Sequence, residues 1–343
     1  MSPLISRLGS HSVRAFGEFT KIVAHVKVWV KQTGASVKRY TAVCQDSTGT
    51  IIYTCVSGDY IQKSSDGGTS WSALTGSGSR TWSNICCNSS GTIIYASVSG
   101  ASGAIYVSTN SGATWATSVS STASSTWLYI CCNDSGSIAY ATQNSLSTTT
   151  LYFTVNSGTT WLPVTTITGL IGSNYLQGVC CNSTGTTVYV ASAEGGPLGR
   201  VFVSTNTALT WSVKYSTSSG VLGPICCDST GTIIYVSFGG KSAISSGAIQ
   251  KSSNSGSTWG ALSFGASQTD LVCDSTGTIL TTYHTNTAGE TVYVSFNSGT
   301  LFLSQITPGT QFWTGARVSL DGSKIVIVSD SFAGGSGYIW TYS

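Results

Sequence analysis

Apolar and polar positions alternate in blocks along most of this chain. A short apolar run, Ile85-Cys86-Cys87, gives way to a polar turn, Asn88-Ser89-Ser90-Gly91, and then to a β-branched run ending at Tyr95. Short β-rich runs bounded by Gly, Asn and Ser read as strands, and two of them around one turn read as a hairpin. The block returns as CCNDSGSIAY from 131, CCNSTGTTVY from 180, CCDSTGTIIY from 226 and VCDSTGTIL from 272, with worn copies CQDSTGTIIY from 44 and RVSLDGSKIVIV from 317. Its glycines, Gly49, Gly91, Gly136, Gly185, Gly231, Gly277 and Gly322, stand 42 to 49 residues apart. The third residue before each is Asp46, Asn88, Asn133, Asn182, Asp228, Asp274 or Ser319. Each is a side chain able to hydrogen-bond its own turn.

A third strand follows each hairpin (IYVSTN, RVFVSTN, TVYVSFN), and then a glycine-rich turn that ends on an aromatic. SSDGGTSW closes on Trp71, STNSGATW on Trp115, TVNSGTTW on Trp161, STNTALTW on Trp211 and SSNSGSTW on Trp259, where a fourth strand begins. A small sheet repeated at this period cannot bury its faces alone, so neighbours must stack. The expected fold is all-β, a seven-bladed β-propeller of four-stranded antiparallel blades.

The turn itself resembles the Asp-box, or BNR, repeat of sialidase-, sortilin- and photosystem-assembly-factor-like propellers. Ser64, Asp66, Gly68 and Trp71 match that motif position by position, and later copies carry Asn110, Asn156, Asn206 and Asn254 in place of the Asp. The resemblance covers roughly residues 40–343 and implies a structural turn whose Trp packs into the blade. It implies no catalytic role for the boxes.

The seventh repeat runs out at Ser343 without a fourth strand. Trp29 lies 42 residues before Trp71, and WVKQTG echoes WSALTG, so the N-terminal segment is expected to supply the missing outer strand and close the ring. Residues 21–343 then form one propeller, with 1–20 a basic arm outside it. Residues 1–39 hold seven of the 15 basic residues and one acid, about +6 against about −3 for the rest. Arg7 and Arg14 in that arm are expected to dock it on a protein partner.

Eleven cysteines fall at equivalent places: Cys44, Cys86, Cys131, Cys180 and Cys226 five residues before the glycine, and Cys87, Cys132, Cys181, Cys227 and Cys273 four before it, with Cys55 apart. They are spread around a ring with no local C-x-x-C or partnering histidine, so no metal is expected. Free cysteine packs as a small hydrophobe. The expectation is reduced thiols in an intracellular, reducing compartment, either cytoplasm or a virion.

Little else points to chemistry. The three histidines, His11, His25 and His284, form no recognisable constellation, and no phosphate loop, dinucleotide fingerprint or metalloprotease motif is present. Only Arg39, Arg80, Arg200 and Arg317 remain beyond the arm, whereas sialidases gather three arginines on a carboxylate. No cofactor is expected. The reading is a non-enzymatic propeller serving as a protein-binding or structural scaffold in a larger assembly. The alternatives are a glycan-binding, lectin-like propeller and a degenerate sialidase-like hydrolase. No run is apolar enough for a membrane span, and nucleic acid is not expected on a propeller of negative charge.

Nine residues before the repeat glycines stand Tyr40, Trp82, Trp127 and Trp313, with Arg39, Arg80 and Arg317 nearby. Two readings are open. Either the rings face the mouth of the central channel beside the guanidinium groups and bind an acidic glycan or peptide, or they pack between blades as core.

Overall fold

The structure is a computed structural model describing residues 28–100, 103–120, 126–144, 149–170, 174–194, 198–218, 220, 222–238, 249–262, 264, 270–283, 291–305, 312–330 and 337–343. The regular elements among these are strands, save one 3₁₀ turn at Thr75–Ser77. Each repeat is a meander. For example, Asn174–Cys181, Val188–Glu194, Leu198–Ser204 and Ser212–Thr217 pair antiparallel in chain order.

The architecture is an all-β propeller, but the expectation of seven separate four-stranded blades is corrected. The described strands form five four-stranded sheets and one eight-stranded sheet. The cause lies in Ile52–Asp59, the longest second strand of any repeat. It runs past its hairpin partner and pairs Ser57 with Thr81 and Asp59 with Arg80 at the start of the next inner strand. The first two repeats therefore share one continuous sheet.

The closing strand is present. Trp29–Lys31 lies antiparallel to Ile339–Tyr342, with Trp29 opposite Tyr342 and Lys31 opposite Trp340. Beyond it the Gln32 N–H donates to the Ile339 carbonyl (2.9 Å) and its side-chain amide to Thr341 Oγ1 (2.6 Å). The Trp29 and Tyr342 rings meet at a tilt, their centroids 5.2 Å apart.

The repeat turns hold the ring together. Within a turn the Asx side chain accepts from the backbone it encloses, as Asp46 Oδ1 does from the Thr50 and Ile51 N–H groups (2.8 and 3.1 Å). Gly49 closes that turn at φ 69°, a conformation that a side chain would strain. Between turns a backbone bond passes from each to the next: Ser47 to Ser89, Ser89 to Asp134, Asp134 to Ser183, Ser183 to Ser229, Ser229 to Ser275, Ser275 to Leu320 and Leu320 back to Ser47, all 2.8 to 3.0 Å. The circle returns to its start, which ties the chain ends into one object.

A second set of bonds reinforces it. The buried hydroxyls of Tyr53, Tyr95, Tyr140, Tyr189 and Tyr235 donate to the carbonyls of Gly91, Gly136, Gly185, Gly231 and Gly277 in the following turn, at 2.7 to 2.8 Å. Each such bond contributes about 1 kcal/mol net. Apolar clusters fill the spaces between neighbouring repeats, as where Tyr53 and Ile61 meet Trp82 and Ile85.

Candidate binding site at the central channel

The inner strands surround a channel of about 500 Å³. Residues of several repeats line it, among them Thr41, Gln45, Asn84, Tyr129, Asp270 and Arg317. Arg317 and Asp270 pair across two neighbouring inner strands at 3.6 Å, each side chain partly exposed. Tyr129 stands in the same wall, its phenol pushed well above its ordinary value by burial and, less strongly, by the Asp270 charge. The channel thus carries one charged pair and a neutral phenol in a wall of thiols, amides, hydroxyls, aliphatic groups and the rings of Trp127 and Tyr283.

A β-bulge near the start of the inner strands sets which side chains face it. Pairing slips between Tyr40 and Ala42, Trp82 and Asn84, Trp127 and Tyr129, and Trp313 and Gly315. A bulge adds one residue to one strand and reverses the alternation beyond it. Trp313 and Arg317, four apart, are therefore on different faces: Trp313 packs with Tyr283 and Val292, and Arg317 lines the channel. The residues in the bulges bind the next repeat. Thr41 Oγ1 donates to the Trp82 carbonyl (2.9 Å) and Thr314 Oγ1 to that of Tyr40 (2.8 Å).

The four rim aromatics are buried, and Trp127 also borders the channel. Tyr40, Trp82, Trp127 and Trp313 are 1 to 2% exposed and belong to inter-repeat core. Of the three arginines beside them, Arg39 is exposed and forms two bonds to Asp330 (3.1 and 3.2 Å). Arg80 lies over the Tyr106 ring, 4.4 Å from its centroid, with Nη1 on the Ser77 carbonyl (2.9 Å). Of the proposed set, Arg317 and Trp127 line the channel, and Tyr40, Trp82, Trp313, Arg39 and Arg80 do not. Arg7, Arg14, His11, His25 and His284 lie outside the described residues.

The tryptophan turns behave as one design. Ser64 Oγ donates to Asp66 Oδ1 (2.8 Å) and accepts from the Gly68 N–H (2.8 Å), while Asp66 accepts from the Ser70 N–H (2.9 Å) and the Trp71 indole donates to the Gly68 carbonyl (2.8 Å). Asn110, Asn156, Asn206 and Asn254 accept the equivalent backbone N–H and use their amide nitrogen on a Thr hydroxyl instead. The indoles of Trp115, Trp211 and Trp259 donate within their own turns (3.1 Å each). That of Trp161 reaches Ser118 Oγ in the preceding repeat (2.7 Å). A sixth turn of this form, Ser295-Asn297-Gly299, is missed by a search for Trp because Phe302 takes its place.

Asp66 gives a pH test. Hydrogen bonds from the Ser70 hydroxyl and N–H, then from the Ser64 hydroxyl, hold its carboxyl at about 2 against an ordinary 3.8. A folded value below the unfolded one adds stability that is present above the unfolded value and lost as pH falls towards the folded one. Asp66→Asn copies the other turns. It is expected to leave the melting temperature at neutral pH nearly unchanged and to flatten its fall between about pH 4 and about pH 2, as followed by thermal melts across that range.

Solved structures with this architecture were found. A GH74 xyloglucanase from Xanthomonas campestris is 14% identical over 89% of this chain and 52% of its own, at a TM-score of 0.67. The GH74 enzyme of Niastella koreensis is 14% identical over 90% and 55%, at 0.69. YCF48 from Cyanidioschyzon merolae is 12% identical over 92% and 98%, at 0.63, and a YCF48 structure with a bound D1 peptide gives 13%, 92%, 96% and 0.62. The shared feature is the propeller. This chain spans about half the length of the two GH74 structures. No family model matches it, and no curated sequence does.

Proposed function

We propose that this chain is a non-enzymatic, protein-binding propeller, a scaffold that receives an extended, charged peptide segment at the channel beside Arg317 and Asp270. The observation that carries the non-enzymatic reading is the commitment of its carboxylates. Asp46, Asp228, Asp274 and Asp321 accept bonds from their own turns, and Asp66 does so in its tryptophan turn. Asp59, Asp330, Glu194 and Asp270 are ion-paired with Lys38, Arg39, Arg200 and Arg317. Among the described residues this leaves Asp134, exposed and alone. Glycoside hydrolysis ordinarily needs two carboxyl groups flanking the scissile bond, and no such pair stands free among these residues.

The peptide-bound YCF48 structure supports the choice of ligand as an analogy of fold. The buried tryptophans count against any ligand, glycan or peptide, held on open aromatic faces. We read the tryptophan turns as Asp-boxes in a structural role. A fluorescence-anisotropy screen of charged peptides tests the proposal. A hit is expected to weaken at least about tenfold in Arg317→Ala, the usual scale for a lost charge-assisted bond, with the melting temperature kept. Release of reducing sugar from xyloglucan or from sialylated glycans would overturn it.

A further inference from the structure

Ten of the eleven cysteines sit on inner strands, and their placement has a parity that packing does not require. Successive side chains on a strand point to opposite faces. A Cys-Cys pair therefore sends one thiol to the following repeat and one to the preceding repeat. The contacts follow this rule: Cys44 and Cys87, Cys86 and Cys132, Cys131 and Cys181, Cys180 and Cys227, and Cys226 and Cys273 each share one apolar cluster between neighbouring repeats. No forward-facing thiol lacks a backward-facing partner.

The exceptions obey the same parity. The repeat without cysteine carries Arg317 and Val318 at the two positions. Its neighbours lack only the member that would have faced it: Gln45 follows Cys44, and Val272 precedes Cys273. A cysteine serving only as a small hydrophobe has no reason to vanish in facing pairs.

Backbone bonds hold the paired positions close to one another. The bonds Ser47 to Ser89, Ser89 to Asp134, Asp134 to Ser183, Ser183 to Ser229 and Ser229 to Ser275 join neighbouring repeats two or three residues beyond each thiol pair. Each bond pins two neighbouring inner strands together at their turns, and closure asks the paired Cα atoms to come within the roughly 4.4–6.8 Å that a disulfide spans.

We propose that these ten cysteines are five inter-blade disulfide sites, open in a reducing compartment and closed when the chain meets a disulfide oxidant. With oxidised glutathione, one protein thiolate attacks and forms a mixed disulfide, and its partner then displaces the second glutathione. The glutathione S–S bond breaks, one protein S–S bond forms, and each pair gives up two electrons and two protons to leave two glutathione thiols. Burial raises Cys44, Cys86 and Cys180 above the ordinary thiol value, so closure is slow in the folded chain and fastest during folding. Cys55, buried and donating to the Asn84 carbonyl (3.7 Å), belongs to no pair.

The links have an unusual readout. Because Cys86 and Cys87, and the later Cys-Cys pairs, lie in one peptide each, five disulfides join six inner strands into a single covalent belt. The full chain is refolded from denaturant through a glutathione redox buffer, alkylated, digested with chymotrypsin and analysed by mass spectrometry without reduction. One linked species of six cysteine-bearing segments is expected, with Cys55 alone alkylated. Cys131→Ser should split it into two species of three segments and free Cys181, while Cys55→Ser should leave it whole. The oxidised chain should also melt higher than the reduced chain, reversibly with dithiothreitol. Eleven alkylated thiols after this refolding, or links between any other partners, would overturn the proposal.

Discussion

Replacing Trp82 by alanine is expected to lower the stability of the chain by about 3–5 kcal/mol, the usual cost of truncating a buried aromatic. The ring is 1% exposed and packs edge-on against Tyr106 at 5.4 Å and obliquely against Trp115 at 6.0 Å. Its indole N–H also donates to the Gly78 carbonyl (3.3 Å), so alanine leaves both a cavity and an unpaired acceptor. Trp127→Ala should cost about the same, since that ring meets Tyr152 at 5.2 Å in a separate cluster. Trp127→Phe is a different case. The Trp127 indole nitrogen is buried without a partner, so phenylalanine removes an unsatisfied donor along with some volume, and a loss of under about 1.5 kcal/mol is expected. Urea melts of the three variants check this. A Trp82→Ala chain as stable as the parent would mean the ring is not the core residue its burial indicates.

These same tryptophans show what was legible in the sequence and what was not. Their spacing from the repeat glycine placed them at the start of the inner strands, where Arg80–Cys87 and Phe312–Val318 do begin. Their direction was hidden, because one bulged residue reverses the face of everything beyond it, and although Gly315 is a residue type that often marks a bulge, Ala42, Asn84 and Tyr129 at the same place in other repeats announce nothing. The hairpins, the tryptophan turns and the closing strand were legible because each rests on local chemistry: an Asx cap, a Ser-Asx-Gly turn, a repeated tryptophan. The sheet count was not, since the fusion of the first two repeats depends on two pairings at the end of Ile52–Asp59 whose cause is strand length rather than motif. Asp270 was missed for a related reason. It lies seven residues before Gly277 in the most divergent part of the repeat, and only the ring brings it to Arg317. The five tyrosines that bond across repeats were visible in the alignment of copies, four residues after each glycine, but they read there as ordinary strand residues.

Removing residues 1–34 is expected to be as damaging as removing a core tryptophan, although the strand it deletes is only three residues long. That strand covers the edge Ile339–Tyr342, whose Ile339 and Trp340 are 0% and 6% exposed when it is in place. Its loss takes the ladder bonds to this edge, the Gln32 bonds to Ile339 and Thr341, and the packing of Trp29 on Tyr342. At about 1 kcal/mol per bond and about 2 kcal/mol for the ring, the deletion should cost roughly 4 kcal/mol or more. It also leaves an unpaired apolar edge, the feature that most readily recruits a second chain. Melting and size-exclusion chromatography together should therefore show a lower transition and a shift to larger species. Removing only 1–20, which lies outside every repeat, supplies the control and is expected to keep the parent melting temperature. If the two truncated chains melted alike, the closing strand would contribute nothing, and the seven turn-to-turn backbone bonds, the tyrosine bonds and the apolar clusters between repeats would hold the ring without it.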